Sequence, residues 1–328
     1  MIDKREDILV SICCITYNHQ DFIEDAIESF VSQKTNFNFE ILIDDDCSTD
    51  NTAHIISKYQ QKYPHLIKSN LRKKNIGVIN NILSNMDRAE GKYIALCEGD
   101  DYWIDDNKLQ LQFDALENNP SCSFCGHDVN IVNWDKSFMR IHSKSRINEN
   151  WKEGIFDTKT LLSTVWSIPH TSAIFFRKKY FDMDYFKTIK EKNGTDYPLF
   201  VYLCDKGNLY YIDKSMSSYR KHSGGVSASW AYGYNDKLIN DTIIAHNSID
   251  KYFQNKYTKE VIAIHLNGLF MTKYNEQLKI SIKNRNYIEI IKNLLNMFKH
   301  SKNSQYSYRD ILWLLKFYLS KRVVINDE

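Results

Sequence analysis

Residues 8–31, ILVSICCITYNHQDFIEDAIESFV, decide the architecture. The first eight are an almost unbroken apolar run, which suits a strand covered on both faces. After the polar break Thr16-Tyr17-Asn18-His19-Gln20, apolar residues return at helical spacing. Phe22, Ile23, Ala26, Ile27 and Phe30 share one face of a helix predicted over Asp21–Val31. A buried strand followed at once by an amphipathic helix is half of a βαβ unit, and the rhythm repeats outward. FEILIDD (39–45) reads as the second strand, and Ser48-Thr49-Asp50 can cap a helix running to about Tyr63. LIKSNLR (66–72) is a third strand, Val78–Ala89 a helix, and KYIALCE (92–98) a fourth strand ending on Glu98-Gly99-Asp100-Asp101. Helix Lys108–Glu117 and strand Ser123–Val132 follow. The expected fold class is α/β, a mostly parallel sheet flanked by helices.

Farther along, residues 133–156 lose periodicity and read as a loop. TSAIFFR (171–177) is a strand, Asp196–Cys204 lies in a helix, and NLYYID (208–213) and MSSYRKH (216–222) are two more strands. After about Trp230 the pattern is helical, with no strand signal until Val323 and no internal repeat.

Composition excludes several classes. Lys+Arg 43 against Asp+Glu 41 leaves +2 over 328 residues, so net charge gives no support to nucleic-acid binding. Gly 11 and Pro 4 are too few for a low-complexity or collagen-like chain. Seven cysteines, an odd number mostly inside apolar runs, read as reduced thiols; Cys122-x-x-Cys125 stands in a strand pattern without a second pair at zinc spacing. MIDKREDILVSICC has charges where a signal peptide needs an apolar stretch, so the chain is expected to be cytoplasmic. No apolar run reaches the ~18 residues of a membrane span, and Lys316 interrupts Ile311–Leu319.

In open parallel sheets, ligands bind beyond the carboxyl ends of the strands. The residues there are Thr16-Tyr17-Asn18, Asp44-Asp45-Asp46, Arg72-Lys73-Lys74-Asn75 and Glu98-Gly99-Asp100-Asp101. The last group crowds three acids into four positions, an arrangement that a divalent cation such as Mg²⁺ or Mn²⁺ neutralises, as on a metal-bound diphosphate. Solvation, or capping of the segment from Ile104, is the plainer account of such a cluster. No G-x-x-x-x-G-K-[ST] or G-x-G-x-x-G follows the first strand, so any nucleotide is held without a glycine-rich phosphate loop. Tyr17 can stack on a base and Asp46 can accept from an imino N–H such as uracil's; taken alone, each is equally a core-edge tyrosine and a turn aspartate.

Four segments, VSICCITYNHQDFIEDAIESFVSQ, EILIDDDCSTDNT, NIGVINN with AEGKYIALCEGDDYW, and TDYPLF with YRKHSGGVS, resemble in order and spacing the family 2 glycosyltransferases of the GT-A fold. The resemblance spans roughly residues 8–225. It implies a Rossmann-like catalytic domain over 1–228, with a nucleotide-binding half at about 8–130 and an acceptor-side half at 131–228, and a helical C-terminal region at 229–328. The nucleotide side is then Thr16, Tyr17, Asn18 and Asp46, with Arg72 and Asn75 beside them and Glu98, Gly99 and Asp100 across the pocket. Glu98 departs from the family's D-x-D motif by one methylene, which makes Asp100 the firmer ligand for Mn²⁺ or Mg²⁺. His222 is a second ligand by the same resemblance, or a polar loop residue. Asp196 matches the general base, although an aspartate before an apolar helix is also a cap. Asp101, Trp103, His170 and Arg220 fall to the donor and acceptor pocket, although a structural histidine is the plainer reading of His170.

One base and one displacement imply inversion, and the cation removes the need for a general acid. The implied reaction is sugar transfer from a nucleotide diphosphate sugar, a UDP-sugar in the first instance, to a hydroxyl of a glycan or lipid-linked acceptor in surface polysaccharide synthesis. A nucleotidyltransferase that makes nucleotide sugars, and a non-catalytic glycan-binding or assembly subunit, are the competing readings. In YRDILWLLKFYLSKRVV (308–324), Trp313, Phe317 and Tyr318 lie among leucines, flanked by Arg309, Lys316, Lys321 and Arg322. Such a helix suits the inner face of the cell membrane, or packing on the catalytic domain or on a second subunit of a homodimer.

Overall fold

The apolar run at the N-terminus forms β1 (Ile8–Thr16), and the helix after it is α1 (Ile23–Val31), whose Ile23, Ala26, Ile27 and Phe30 are fully buried. In this computed structural model, the described residues are 7–141, 152–157, 161, 169–188, 196–225 and scattered positions between 244 and 311, of which 284–301 is the longest run. The alternation continues through β2 (Asn38–Asp45), α2 (Thr52–Lys62), β3 (Ile67–Leu71), α3 (Val78–Asp87) and β4 (Tyr93–Leu96). Then come β5 (Tyr102–Trp103), α4 (Lys108–Asn118), β6 (Cys122–Asn133), β7 (Phe138–Ile141), β8 (Gly154–Phe156), β9 (Phe175–Arg177), α5 (Met183–Thr188), α6 (Asp196–Lys206) and β10 (Asn208–Lys221).

The strands make one ten-stranded sheet, β3-β2-β1-β4-β9-β6-β10-β5, with β7 on β6 and β8 on β10. β1, β2, β3 and β4 are parallel, and so are β6 and β10; β9 and the short strands β5, β7 and β8 run antiparallel. The sheet is therefore mixed. Its parallel half carries the expected βα rhythm, whereas β9 reaches its place between β4 and β6 through a later return of the chain. β1 has β2 on one side and β4 on the other, so the chain reverses its direction of winding there and a crevice opens beyond the strand ends. Burial of β1, β2 and β4 on both faces explains why their sequences are continuous rather than alternating. Truncating a side chain such as Phe30 to alanine in this core costs ~3–5 kcal/mol.

Four details differ from the sequence expectation. Residues 133–156, read as a loop, hold β7 and β8. TSAIFFR divides into a 3₁₀ turn at Thr171–Ala173 and the strand β9. The two predicted strands at 208–222 are one strand, β10, whose register against β6 shifts between Ile212 and Ser217. The two-residue β5 and the single-turn α5 are too short to have a period of their own.

Internal contacts gather the chain into two units. One, Met1–Leu161 with Trp166–Lys187 and Gly194–Gly225, contains the whole sheet. The other comprises Leu162–Val165, Thr188–Asn193 and Val226–Glu328. Its longest described element is α7 (Tyr287–Ser301), and Leu278, Met297 and Ile311 form a small apolar core within it. The aromatic and basic residues at 309, 313, 316–318 and 321–322 lie outside the described residues. Among the described residues, no helix is long and apolar enough to cross a membrane.

Candidate functional site

The two acidic strand ends are positioned differently. Asp44, at the end of β2, is fully buried and surrounded by donors. Arg72 Nη2 and Asn70 Nδ2 reach one carboxylate oxygen at 3.0 Å each; Arg88 Nη2 and Asn85 Nδ2 reach the other at 2.6 Å each. Arg72 also donates to Asn81 and Ser84 of α3, which commits it to bracing that helix on the sheet. Asp45 is tied to Ser48 through both the backbone N–H and the hydroxyl. Asp46 accepts the backbone N–H groups of Ile76 and Gly77 at 2.8 and 2.9 Å, one on each oxygen, and every carboxylate oxygen keeps a second lone pair for a ligand donor. Gly77 has φ 86°, a left-handed backbone that favours glycine at the start of α3. Asn75 shapes the same loop, donating to the Asp46 carbonyl at 3.0 Å.

At the end of β1, Thr16 is buried and its hydroxyl has no hydrogen-bond partner, while Tyr17 is 44% exposed and free to present its ring. Asn18, at φ 56°, straps this end to the loop after β2: it receives Thr49 N–H on its side chain and donates its own N–H to Ser48. His19 donates its N–H to Thr52 Oγ1, and its carbonyl accepts from Phe22 and Ile23 at the start of α1.

The Glu98–Asp101 loop lies directly against this corner. A Cβ on Gly99 would sit 2.8 Å from Thr16 and from Ile23, so glycine is what lets the acids come in close. Burial pushes the Glu98 carboxyl up, and the negative charge of Asp100 adds to it. One oxygen of Glu98 is buried with no hydrogen-bond partner. Asp101 is 2% exposed and is raised by burial and by both neighbouring acids, with the Arg220 N–H donating to it at 2.9 Å. For Asp100, burial also pushes upward, but the hydrogen bond from His222 and the adjacent imidazoles outweigh it and hold the carboxyl below its usual range. His222 Nε2 stands 3.1 Å from Asp100 Oδ2, and His19 Nε2 stands 3.8 Å from the same oxygen. One ligand atom from each of the three lies within 4.8 Å of the others. Burial lowers the pKa of His19 and favours its neutral, metal-binding form.

Asp196 opens α6, where its carboxyl accepts from the first-turn amides, including that of Tyr197, as a capping residue does. Burial raises its pKa, and its charge reaches Glu98. His170 caps the 3₁₀ turn by accepting Ser172 N–H, lies against Tyr219 with ring centroids 4.4 Å apart, and stands 3.7 Å from Asp101. Two residues expected in the sugar pocket are engaged within the fold. Trp103 is a core residue, 4% exposed, packed on Phe30 and Lys108 with its indole N–H on the Ser172 carbonyl. Arg220 is buried between the Phe22 and Tyr102 rings and paired with Asp25 at 2.7 Å, so it braces the corner from behind.

His19 is the residue that sequence reasoning missed. Its signal was present: it stands in the polar break after the first strand, at the same sheet edge as the acids. The donor set fits a divalent cation, with one ionised carboxylate, two imidazoles, and neighbouring acids that burial leaves under-neutralised. All seven cysteines are free, and none lies in this cluster.

Known proteins share this arrangement of chain. The model of the family described as Glycosyl transferase family 2 matches residues 11–183. An uncharacterised protein of Mycobacterium tuberculosis is 32% identical over 228 residues, which is 70% of this chain and 62% of the relative, so the match spans under two thirds of that protein's length. Abequosyltransferase RfbV of Salmonella typhimurium is 27% identical over 274 residues, covering 77% of this chain and 81% of RfbV. Among solved structures, S. aureus TarS 1–349 in complex with UDP-GlcNAc superposes with a TM-score of 0.64 at 18% identity, over 89% of this chain and 81% of TarS 1–349.

Proposed function

The chain belongs to glycosyl transferase family 2, and from that premise we propose that it transfers a sugar, with inversion, from a nucleotide diphosphate sugar to a hydroxyl of a glycan or lipid-linked acceptor. The observation that carries the reading is the corner at which Asp100, His222 and the under-neutralised Glu98 lie together, with the charge of Asp196 acting on Glu98. A UDP-sugar is the donor of first choice, since Tyr17 offers an exposed ring for a base and Asp46 retains lone pairs for an imino N–H; TarS, which shares the fold, was solved with UDP-GlcNAc. RfbV, by its name a transferase of abequose, supports a sugar as the transferred group.

In this reading, Asp196 accepts the proton of the acceptor hydroxyl as that oxygen attacks the anomeric carbon from the face opposite the diphosphate. Its raised pKa brings it closer to the working pH, where a base is most effective. Asp100 and His222 would hold Mn²⁺ or Mg²⁺, which would neutralise charge on the leaving diphosphate. Asp101 and His170 shape the sugar side. Residues 1–228 form the catalytic domain, and 229–328 form a helical region that contacts a membrane or a second subunit. The reaction belongs on the cytoplasmic side.

Nucleotide release from UDP-glucose, UDP-N-acetylglucosamine and GDP-mannose, each with Mn²⁺, tests the reading. A release activity that falls ~10²–10⁴-fold in Asp196→Asn, in a variant that still binds UDP, is expected. Activity unchanged in Asp196→Asn overturns the assignment of the base. Formation of a nucleotide sugar from a nucleoside triphosphate and a sugar phosphate identifies a nucleotidyltransferase instead.

A further inference from the structure

We infer that His19 is a third protein ligand and that, with Asp100 and His222, it makes a two-histidine, one-carboxylate site that selects a first-row transition-metal dication over Mg²⁺. The inference rests on the proposed cation at Asp100 and goes further, to which cation the corner takes and why.

The fold fixes the direction of His19. Its N–H is held by Thr52, its carbonyl anchors the start of α1, and the left-handed Asn18 before it ties the turn to Ser48 and Thr49. The ring so directed has nothing of its own to bind. Nδ1 is buried with no hydrogen-bond partner, and Nε2 is 3.8 Å from Asp100 Oδ2, beyond hydrogen-bond reach. The same oxygen receives His222 Nε2 at 3.1 Å, and the two imidazoles stand at 88° with centroids 6.0 Å apart. Two edge-on imidazoles flanking one carboxylate, with donor atoms within 4.8 Å of one another, leave a position at which three ligands converge.

Donor chemistry then sets the preference. Mg²⁺ keeps oxygen ligands and sheds water reluctantly, so it gains little from two imidazoles. Affinity of a nitrogen-containing site rises from Mn²⁺ through Co²⁺ toward Zn²⁺, and two histidines with one carboxylate is a set characteristic of transition metals. With His222 alone the site would have one nitrogen and one carboxylate, and the discrimination would be weaker.

Mn²⁺ binding to the full chain can be followed by the loss of the free-ion EPR signal, with and without UDP, and the bound ion examined by electron spin-echo modulation from ¹⁴N. Modulation from two histidine nitrogens, displacement of Mn²⁺ by equimolar Co²⁺ or Zn²⁺, and resistance to a hundredfold excess of Mg²⁺ are expected. In His19→Ala, folded by circular dichroism, Mn²⁺ affinity should fall at least tenfold and one nitrogen should disappear. His19→Asp should restore binding with the preference moved toward Mg²⁺. Modulation from a single histidine in the wild type, or an unchanged Mn²⁺/Mg²⁺ ratio in His19→Ala, overturns the role of His19 while leaving the cation at Asp100 in place. A wild type that binds no Mn²⁺ under either condition overturns both readings together.

Discussion

At the end of β2, the three carboxylates are each met by groups of the chain itself: two guanidiniums and two amides on Asp44, Ser48 on Asp45, and two backbone N–H groups on Asp46. At the end of β4, Asp101 is as buried as these but Glu98 and Asp100 less so; Asp100 is met by the imidazoles of His222 and His19, Asp101 by the Arg220 N–H with His170 3.7 Å away, and one oxygen of Glu98 has no hydrogen-bond partner. The two clusters are similar in sequence and opposite in electrostatics. The chain matches the first set of acids with its own donors and leaves the second only partly matched.

The largest effect that could break this contrast is on stability. Asp44→Ala leaves Arg72 and Arg88 without their buried counter-ion and should cost ~3–5 kcal/mol, read as a lowered denaturant midpoint. Asp100→Ala should cost far less, because it relieves repulsion among the acids. Equal losses in the two variants would erase the distinction. Next is the response to ligand: Mn²⁺ with UDP at about a hundred times its dissociation constant should stabilise the wild type by ~2.7 kcal/mol and leave Asp100→Ala unmoved in a thermal-shift assay.

Titration sharpens the contrast further. Because Glu98 and Asp101 are raised in the fold, the folded chain holds more protons than the unfolded one between the ordinary and raised values. Metal-free protein should therefore lose stability as pH climbs through that window, by up to ~1.4 kcal/mol per pH unit for each group, and saturating Mn²⁺ should flatten the slope. Lys108 has the opposite sign. It is buried over the Trp103 ring with Gln112 Oε1 at 2.6 Å, and burial lowers its pKa from 10.5 to about 7. Between those values the unfolded chain binds the extra proton, so stability should rise with pH by up to ~1.4 kcal/mol per unit; Lys108→Met should abolish that rise in urea titrations at successive pH values. The smallest effect is expected for Asp101→Asn, which keeps an acceptor for the Arg220 N–H and should shift the midpoint at low pH by under ~1 kcal/mol.

The parallel half of the fold was legible because its signal is local: β1 and α1 state their burial in their own residues, and α3 and α4 follow the same spacing. The later half was less so. β9 is three residues long and owes its existence to β4 and β6 on either side, and the break within β10 is a register shift that looks like a loop when read alone. In the site, residue types at strand ends singled out Asp100 and His222, which the fold brings to 3.1 Å. They could not say which polar groups were already committed. Arg72 is paired with Asp44, Trp103 is packed under Phe30 and Lys108, and His19 lies 3.8 Å from Asp100, none of which its own stretch of sequence states.

The distance along the chain between the acids and their partner has a consequence for synthesis. His222 is 122 residues beyond Asp100, just past the end of β10, and that strand also supplies the Arg220 N–H that meets Asp101. On the ribosome, the βα half can emerge and pair its strands long before either group exists outside the exit tunnel. A nascent chain at that stage carries a corner of facing carboxylates with only His19 beside it. The three side chains of the candidate cluster therefore come together only when the last strand of the sheet docks.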